Sequence, residues 1–147
     1  MNKEIIYTTA KASSGQIEEH LQVCNKAFIP PLSEKVNIGA YAQKIFANAI
    51  TFEAWKETVL IGLIAAYENK ENCFFFITNV SVLPTFSEKG IGATLLQACI
   101  KRSKEQEMKL VKLEVNKKNK PAIKFYQKYG FIQTGEKDET IMMDHQL

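Results

Sequence analysis

The stretch from Val82 to Leu96, Val-Leu-Pro-Thr-Phe-Ser-Glu-Lys-Gly-Ile-Gly-Ala-Thr-Leu-Leu, constrains this chain more than any other. It follows an apolar, β-branched and aromatic run from Phe74, which Pro84 closes because proline cannot donate to a sheet ladder. A polar turn, Thr85 to Lys89, leads into Gly90-Ile91-Gly92. From there Ile91, Leu95, Leu96, Cys99 and Ile100 recur at helical spacing. A helix start fed by such a turn leaves backbone N–H groups unpaired, and the aligned peptide dipoles add partial positive charge. Without a Cβ at 90 and 92, an oxygen-rich anion can approach those groups closely. The physics asks for phosphate or pyrophosphate.

Glycines alone do not name the ligand, since a turn also takes glycine for its backbone conformation. The dinucleotide fingerprint GxGxxG fails at its third glycine, where Leu95 stands, and the phosphate-loop pattern GxxxxGK[ST] is absent. What the chain carries is V-x-P-x-x-x-x-x-G-x-G, followed by Asn119, Ala122, Phe125-Tyr126 and Gly130-Phe131. This pair of segments, within Val80 to Phe131, resembles the acetyl-CoA-binding half of the GNAT family of N-acetyltransferases. The rest of the chain matches that family in layout.

Size and composition are compatible with the resemblance. A chain of 147 residues fits one domain, 1–147. Hydrophobic residues at 46% and charged residues at 24% are ordinary for a globular protein. A net charge of +3 gives no strongly basic patch, so no nucleic-acid partner is expected. Cys24, Cys73 and Cys99 are widely spaced and form no CxxC, and His20 and His145 lie far apart. We expect no metal site and no disulfide framework, but reduced thiols in a cytoplasmic protein. Met1 to Ala10 lacks the extended apolar core of a signal peptide, and the longest apolar run, Val59 to Tyr67, is strand-length; no membrane partner is expected.

The order of elements follows from punctuation and period. Glu4 to Thr9 reads as a strand. Ser13 and Gln16 form a capping-box pattern ahead of a helix carrying Ile17, Leu21, Cys24 and Phe28, which Pro30-Pro31 ends. A second helix begins near Asn37, with Ile38, Tyr41, Ala42, Ile45, Phe46 and Ala49 on one face. Thr51 to Trp55, Glu57 to Tyr67 and Cys73 to Val82 read as an antiparallel meander. The helix from Gly90 then crosses to a strand Val111 to Val115, parallel to the one ending at Val82. Pro121 starts a short helix that Gly130 stops, and Phe131 to Thr134 with Thr140 to Asp144 closes the chain as a hairpin. The fold class expected is α/β: a mixed, mostly antiparallel sheet of six or seven strands with a central parallel pair and about four helices.

The resemblance implies a site. Val80, Ser81 and Val82 would offer backbone groups to the pantetheine amides. Ser87, Glu88, Lys89, Gly90, Ile91 and Gly92 would hold the pyrophosphate, and Asn119 would touch the arm from the other side. Tyr126 would protonate the departing thiolate, for which a phenol of ordinary pKa near 10 is suited; its other reading is a core aromatic beside Phe125. Glu114 matches a glutamate that accepts a proton in the ribosomal-protein N-terminal acetyltransferases of the family. It points to the opposite sheet face from Leu113 and Val115, where a merely solvated carboxylate would also sit. Thr78 and Asn79 stand where many relatives carry an acid; Glu53 and Glu68 are further candidates acting through water. Ser87 replaces the usual Arg or Gln, and Glu88 adds a negative charge, so weaker cofactor binding is expected. Of the lysines at 117, 118, 120, 124 and 128, some would help with the 3′-phosphate, or all form a solvated face.

The activity implied is acetyl transfer from acetyl-CoA to a primary amine by direct attack, without an acyl-enzyme. The acceptor would be a peptide or small-molecule amine, chosen by the Phe28 to Asn37 connection and the Phe131 to Thr140 hairpin. The protein would act as a monomer or homodimer. The alternative is an acyl-CoA-binding sensor or interaction module of the same fold without turnover.

Overall fold

Ser13 starts the first helix as the sequence proposes: its hydroxyl accepts from Gln16 N, and the Gln16 side chain accepts from Ser13 N. Around that anchor the computed structural model, which describes residues 4–87 and 89–147, arranges one sheet and its covering helices. In chain order these are β1 (Ile5–Thr9), α1 (Ser14–Cys24), 3-10 turns at Asn25–Ala27 and Leu32–Glu34, α2 (Ile38–Asn48), β2 (Ile50–Lys56), β3 (Val59–Asn69) and β4 (Phe74–Val82). A 3-10 turn (Pro84–Phe86) leads to α3 (Ile91–Glu105), β5 (Leu110–Asn116), α4 (Lys120–Lys128), β6 (Ile132–Lys137) and β7 (Thr140–Gln146).

The sheet has seven strands in the order β1-β2-β3-β4-β5-β7-β6. The antiparallel meander takes in β1 as well as the three strands expected. The closing hairpin enters with β7 against β5 and β6 at the edge. Among the described residues, only β4 and β5 pair in parallel. Their pairing runs from Phe74↔Leu110 to Ile77↔Leu113 and stops, although β4 continues to Val82 and β5 to Asn116. The β3–β4 register shifts at the same level. Asn79 faces Ala65 and Ile77 faces Ala66, which leaves Thr78 as the extra residue of a bulge. A bulge bends its strand and increases local twist, so β4 turns away from β5 where their pairing ends.

Strand β3 is buried on both faces, which explains its near-continuous apolar run. Ile61, Ile64 and Ala66 join a core with Ile91, Leu95, Leu96, Phe131 and Met143, beneath α3 and α4. Leu60, Leu63 and Ala65 join the opposite core with Ile17, Leu21, Ile38, Ala42 and Ile45, beneath α1 and α2. Gly62 lets the first turn of α3 seat closely on the sheet, since a Cβ there would lie 2.7 Å from Ile91 Cγ2. On α2 the expected face is too wide. Phe46 is 56% exposed, and Ala49 lies beyond the last turn as the C-cap.

Glu53 has a structural occupation. It is fully buried and accepts from Thr8 and Thr51 hydroxyls, each at 2.6 Å, and from Lys11 N and Ala12 N. These bonds tie the β1–α1 turn to β2 and leave the carboxylate no place in a site chemistry. Among the described residues, no helix is long and apolar enough to cross a membrane.

Candidate active site

The gap between β4 and β5 opens onto a groove of about 540 Å³. Its head is the start of α3. The first bond of that helix is Thr94 N to the Gly90 carbonyl, so the N–H groups of Ile91, Gly92 and Ala93 precede it, and no side chain caps them. Gly90 takes φ +75°, a left-handed conformation that favours glycine, and nothing lies within 4 Å of where its Cβ would be. Gly92 faces Phe125 of α4 across the groove. An uncapped, dipole-aligned set of N–H groups at an open groove suits an anion. Ser87 and Lys128 also line it.

The strand wall supplies further donors. Leu83 N donates to the Ile61 carbonyl at 2.8 Å, on the β3 side. Backbone groups alternate sides along a strand, so Val80 and Val82 direct theirs into the gap that β5 has left. Val80, Ser81 and Val82 line the groove together.

On the far wall, Asn119 caps α4, accepting from Ala122 N at 3.3 Å, which leaves its N–H₂ group for another partner. Tyr126 sits two turns further along, 8% exposed, edge-on to Phe125 and Phe131. Burial pushes its phenol well above the ordinary range, so it remains a proton donor. The ring is in the core, as its structural reading expects, and the residue also lines the groove.

A second cavity of about 250 Å³ lies across the same wall. Phe28, Val80, Asn119, Ala122 and Tyr126 line both spaces. The second cavity adds Ile29, Pro30, Leu32, Lys35 and Val36 from the connection before α2, and Tyr41, Thr78, Asn79 and Glu114 opposite. Glu114 is exposed at its rim, on the face opposite Leu113 and Val115 as expected. Of the two segments expected to shape this side, the Phe28 to Asn37 connection does so, whereas no residue of the Phe131 to Thr140 hairpin lines it.

Other expected residues fall elsewhere. The Ile91 side chain is in the core, leaving only its backbone for the groove. Lys89 is exposed and is not among the lining residues. Glu88 lies outside the described residues. Glu68 lines a separate hollow with Tyr67 and Phe74. Lys117 pairs with Glu136 at 3.1 Å on the surface, and of the five lysines Lys128 alone reaches the groove lining.

Sequence reasoning missed Tyr41, His20 and Cys24. Tyr41 donates to the Thr78 carbonyl at 2.8 Å, inside the second cavity. Cys24 is in the groove wall, where burial pushes its thiol up to about 11, and its Sγ is 3.7 Å from His20 Nε2. It carries no thiolate near neutrality. The i, i+4 spacing of His20 and Cys24 on α1 was visible, but nothing in it names the strand they would meet.

The E. coli peptidyl-lysine N-acetyltransferase YiaC is 32% identical over 96 residues, 64% of this chain and 59% of that protein. The chain thus matches about three fifths of the length of that relative. An acetyltransferase of the GNAT family from Staphylococcus aureus superposes with a TM-score of 0.81 at 18% identity, covering 98% of this chain and 99% of that one. The PaiA N-acetyltransferase of Thermoplasma acidophilum, solved in complex with coenzyme A, gives 0.77 at 18% identity, covering 98% and 99%. These structures share the fold. The model of the acetyltransferase (GNAT) family matches residues 16–131. Because that match runs from α1 past the end of α4, this chain belongs to the GNAT family of acetyltransferases.

Proposed function

We propose that the protein transfers an acetyl group from acetyl-CoA to a primary amine, by direct attack of the amine on the thioester. One observation carries this reading: two cavities of different character share a wall at Val80, Asn119 and Tyr126. The groove offers uncapped N–H groups for a pyrophosphate and strand N–H and C=O groups for pantetheine amides. The second cavity leads an acceptor to the same wall.

In this reading Ser87, Gly90, Gly92 and the N–H groups of Ile91 and Ala93 hold the pyrophosphate, with Lys128 available to the 3′-phosphate. Val80 and Val82 bind the arm through their backbone, opposite the Asn119 amide; the Ser81 backbone, which alternation turns toward β3, is not free for that role, and the residue only lines the groove. In this reading backbone N–H groups near Val82 stabilise the tetrahedral oxyanion. Glu114, at the rim of the acceptor cavity, takes the proton an ammonium must lose before it attacks. Tyr126, which burial keeps protonated, gives its proton to the leaving thiolate in this reading. The buried Cys24 thiol does not compete as a nucleophile.

The acceptor is a peptide or small-molecule amine, and the printed activity of the E. coli relative, on peptidyl lysine, supports including proteins. Three free cysteines suit a cytoplasmic protein working as a monomer or homodimer. An amine panel assayed by CoA release, beside acetyl-CoA calorimetry, tests the reading. Acetyl-CoA-dependent acetylation of an amine is expected; binding without turnover of any amine would make the protein an acyl-CoA-binding module.

A further inference from the structure

His20 is buried on α1 and takes no part in the chemistry above. Its Nδ1 lies 2.8 Å from the Leu60 carbonyl oxygen of β3, and its Nε2 lies 2.9 Å from Ser81 Oγ of β4. Ser81 Oγ is in turn 2.8 Å from the Asn79 carboxamide. Ser81 lines the groove and Asn79 the acceptor cavity. A chain of hydrogen bonds therefore runs from the middle of the sheet to the wall of the second cavity.

Its polarity is fixed at the far end. The Leu60 carbonyl can only accept, so Nδ1 carries a proton. In a neutral ring Nε2 is then a lone pair, and the hydroxyl against it must supply the intervening proton. Ser81 has one such proton. Its oxygen is left to accept from Asn79, which turns the carboxamide N–H₂ toward Ser81 and its Oδ1 away. The other orientation, with Ser81 donating to Oδ1, requires protons on both ring nitrogens. That is a buried imidazolium whose partners are a carbonyl, a hydroxyl and a thiol, a costly arrangement. Burial already lowers the His20 pKa, which favours the neutral ring. A half-turn about χ2 exchanges the amide atoms without moving the heavy-atom positions.

Tyr41 lines the same cavity as Asn79, and its own proton is directed to Thr78. Asn79 Oδ1 and Tyr41 Oη then present lone pairs together, a wall that recognises N–H donors. We propose that Asn79 Oδ1 accepts a hydrogen bond from the acceptor amine and aims its lone pair at the thioester, with His20 and Ser81 as the positioning residues that hold the carboxamide in that orientation. An acid at this position would serve as a base. Asn79 instead fixes direction and leaves proton removal to Glu114.

This inference rests on the acetyl-transfer reading, and its test separates the two. Long-range ¹H–¹⁵N correlation on the unsubstituted protein reads the His20 tautomer and needs no variant; the Nδ1–H form with a bare Nε2 is expected at neutral pH. Kinetics with an amine from the panel should show the acceptor KM rising about tenfold in Asn79→Ala, the size of one lost hydrogen bond. Acetyl-CoA affinity should stay within about twofold. Ser81→Ala should raise the acceptor KM in the same direction. An Nε2–H tautomer or an imidazolium, or an acceptor KM indifferent to Asn79→Ala in a folded protein, overturns this inference alone. Absence of turnover of any amine overturns the acetyl-transfer reading and this inference with it.

Discussion

The two sides of the shared wall are built in different ways. The groove side, proposed for the cofactor, is made of backbone: the uncapped N–H groups at the start of α3, which Gly90 and Gly92 leave accessible, and strand groups that diverge from β5 beyond the bulge at Thr78. The acceptor side is made of side chains drawn from α2, β4, β5 and the connection between the first two helices. Backbone recognition tolerates changes in side-chain identity and fails when geometry is blocked. Side-chain recognition behaves the other way. Substitutions on each side, and at the wall between, should separate accordingly.

The largest effect is expected at the wall. Tyr126→Phe removes one hydroxyl and keeps the ring between Phe125 and Phe131. We expect kcat and kcat/KM to fall together by about 10²-fold, the low end for a general acid because CoA thiolate is already a fair leaving group. Acetyl-CoA affinity should hold. Since burial raises this phenol's pKa, its ionisation should cause no alkaline loss of kcat up to about pH 10, the ordinary tyrosine value. An alkaline limb below that, present in the parent and gone in Tyr126→Phe, would contradict the environment described.

Next is Gly92→Val on the backbone side. A Cβ there would already lie 3.6 Å from Phe125 Cζ, so the valine methyls project into the groove. Calorimetry should show acetyl-CoA binding about 30-fold weaker, as expected for losing charge-assisted contacts to a phosphate, with the melting temperature little changed. Unchanged affinity would remove the turn from the cofactor site.

Glu114→Gln tests the acceptor side. With this carboxylate accepting the ammonium proton, kcat/KM should fall about tenfold near neutrality, a size reduced from typical general-base effects by its exposure. The deficit should shrink as pH rises past the acceptor amine's own pKa, where the amine arrives neutral. A deficit constant with pH would make Glu114 a binding group only.

The smallest effect is a gain. Ser87 lines the groove without a charge, so Ser87→Arg should tighten acetyl-CoA binding about fivefold, roughly 1 kcal/mol for an exposed ionic contact. A decrease would put Ser87 away from the phosphates.

The same contrast governs what could be read from the sequence. Pro84, Gly90, Gly92, Pro121 and Gly130 punctuate the chain locally, and local punctuation places helix starts and strand ends. The groove at the start of α3 was legible for that reason. Capping by Ser13, the parallel crossover and the alternation of Glu114 against Leu113 and Val115 followed from spacing of the same kind. The acceptor side depends on contacts between residues far apart in the chain. His20 meets Ser81 across 61 positions, and Tyr41 meets Thr78 across 37. No period or motif records such meetings. Glu53 shows the converse error: a carboxylate on a strand looked available, and Thr8 of β1, Thr51 of β2 and the turn N–H groups of Lys11 and Ala12 all donate to it.

The four-rung parallel pairing has one more consequence. Beyond Ile77 and Leu113 the sheet carries two internal edges, each with unmatched donors and acceptors, in the middle of the molecule. Exposed edges invite another chain to add a strand. In the acetyl-transfer reading a pantetheine arm, with its two amides, would satisfy part of that demand without being a peptide. The same edges would accept an extended segment of polypeptide, so the cofactor would also cap the sheet against strand addition.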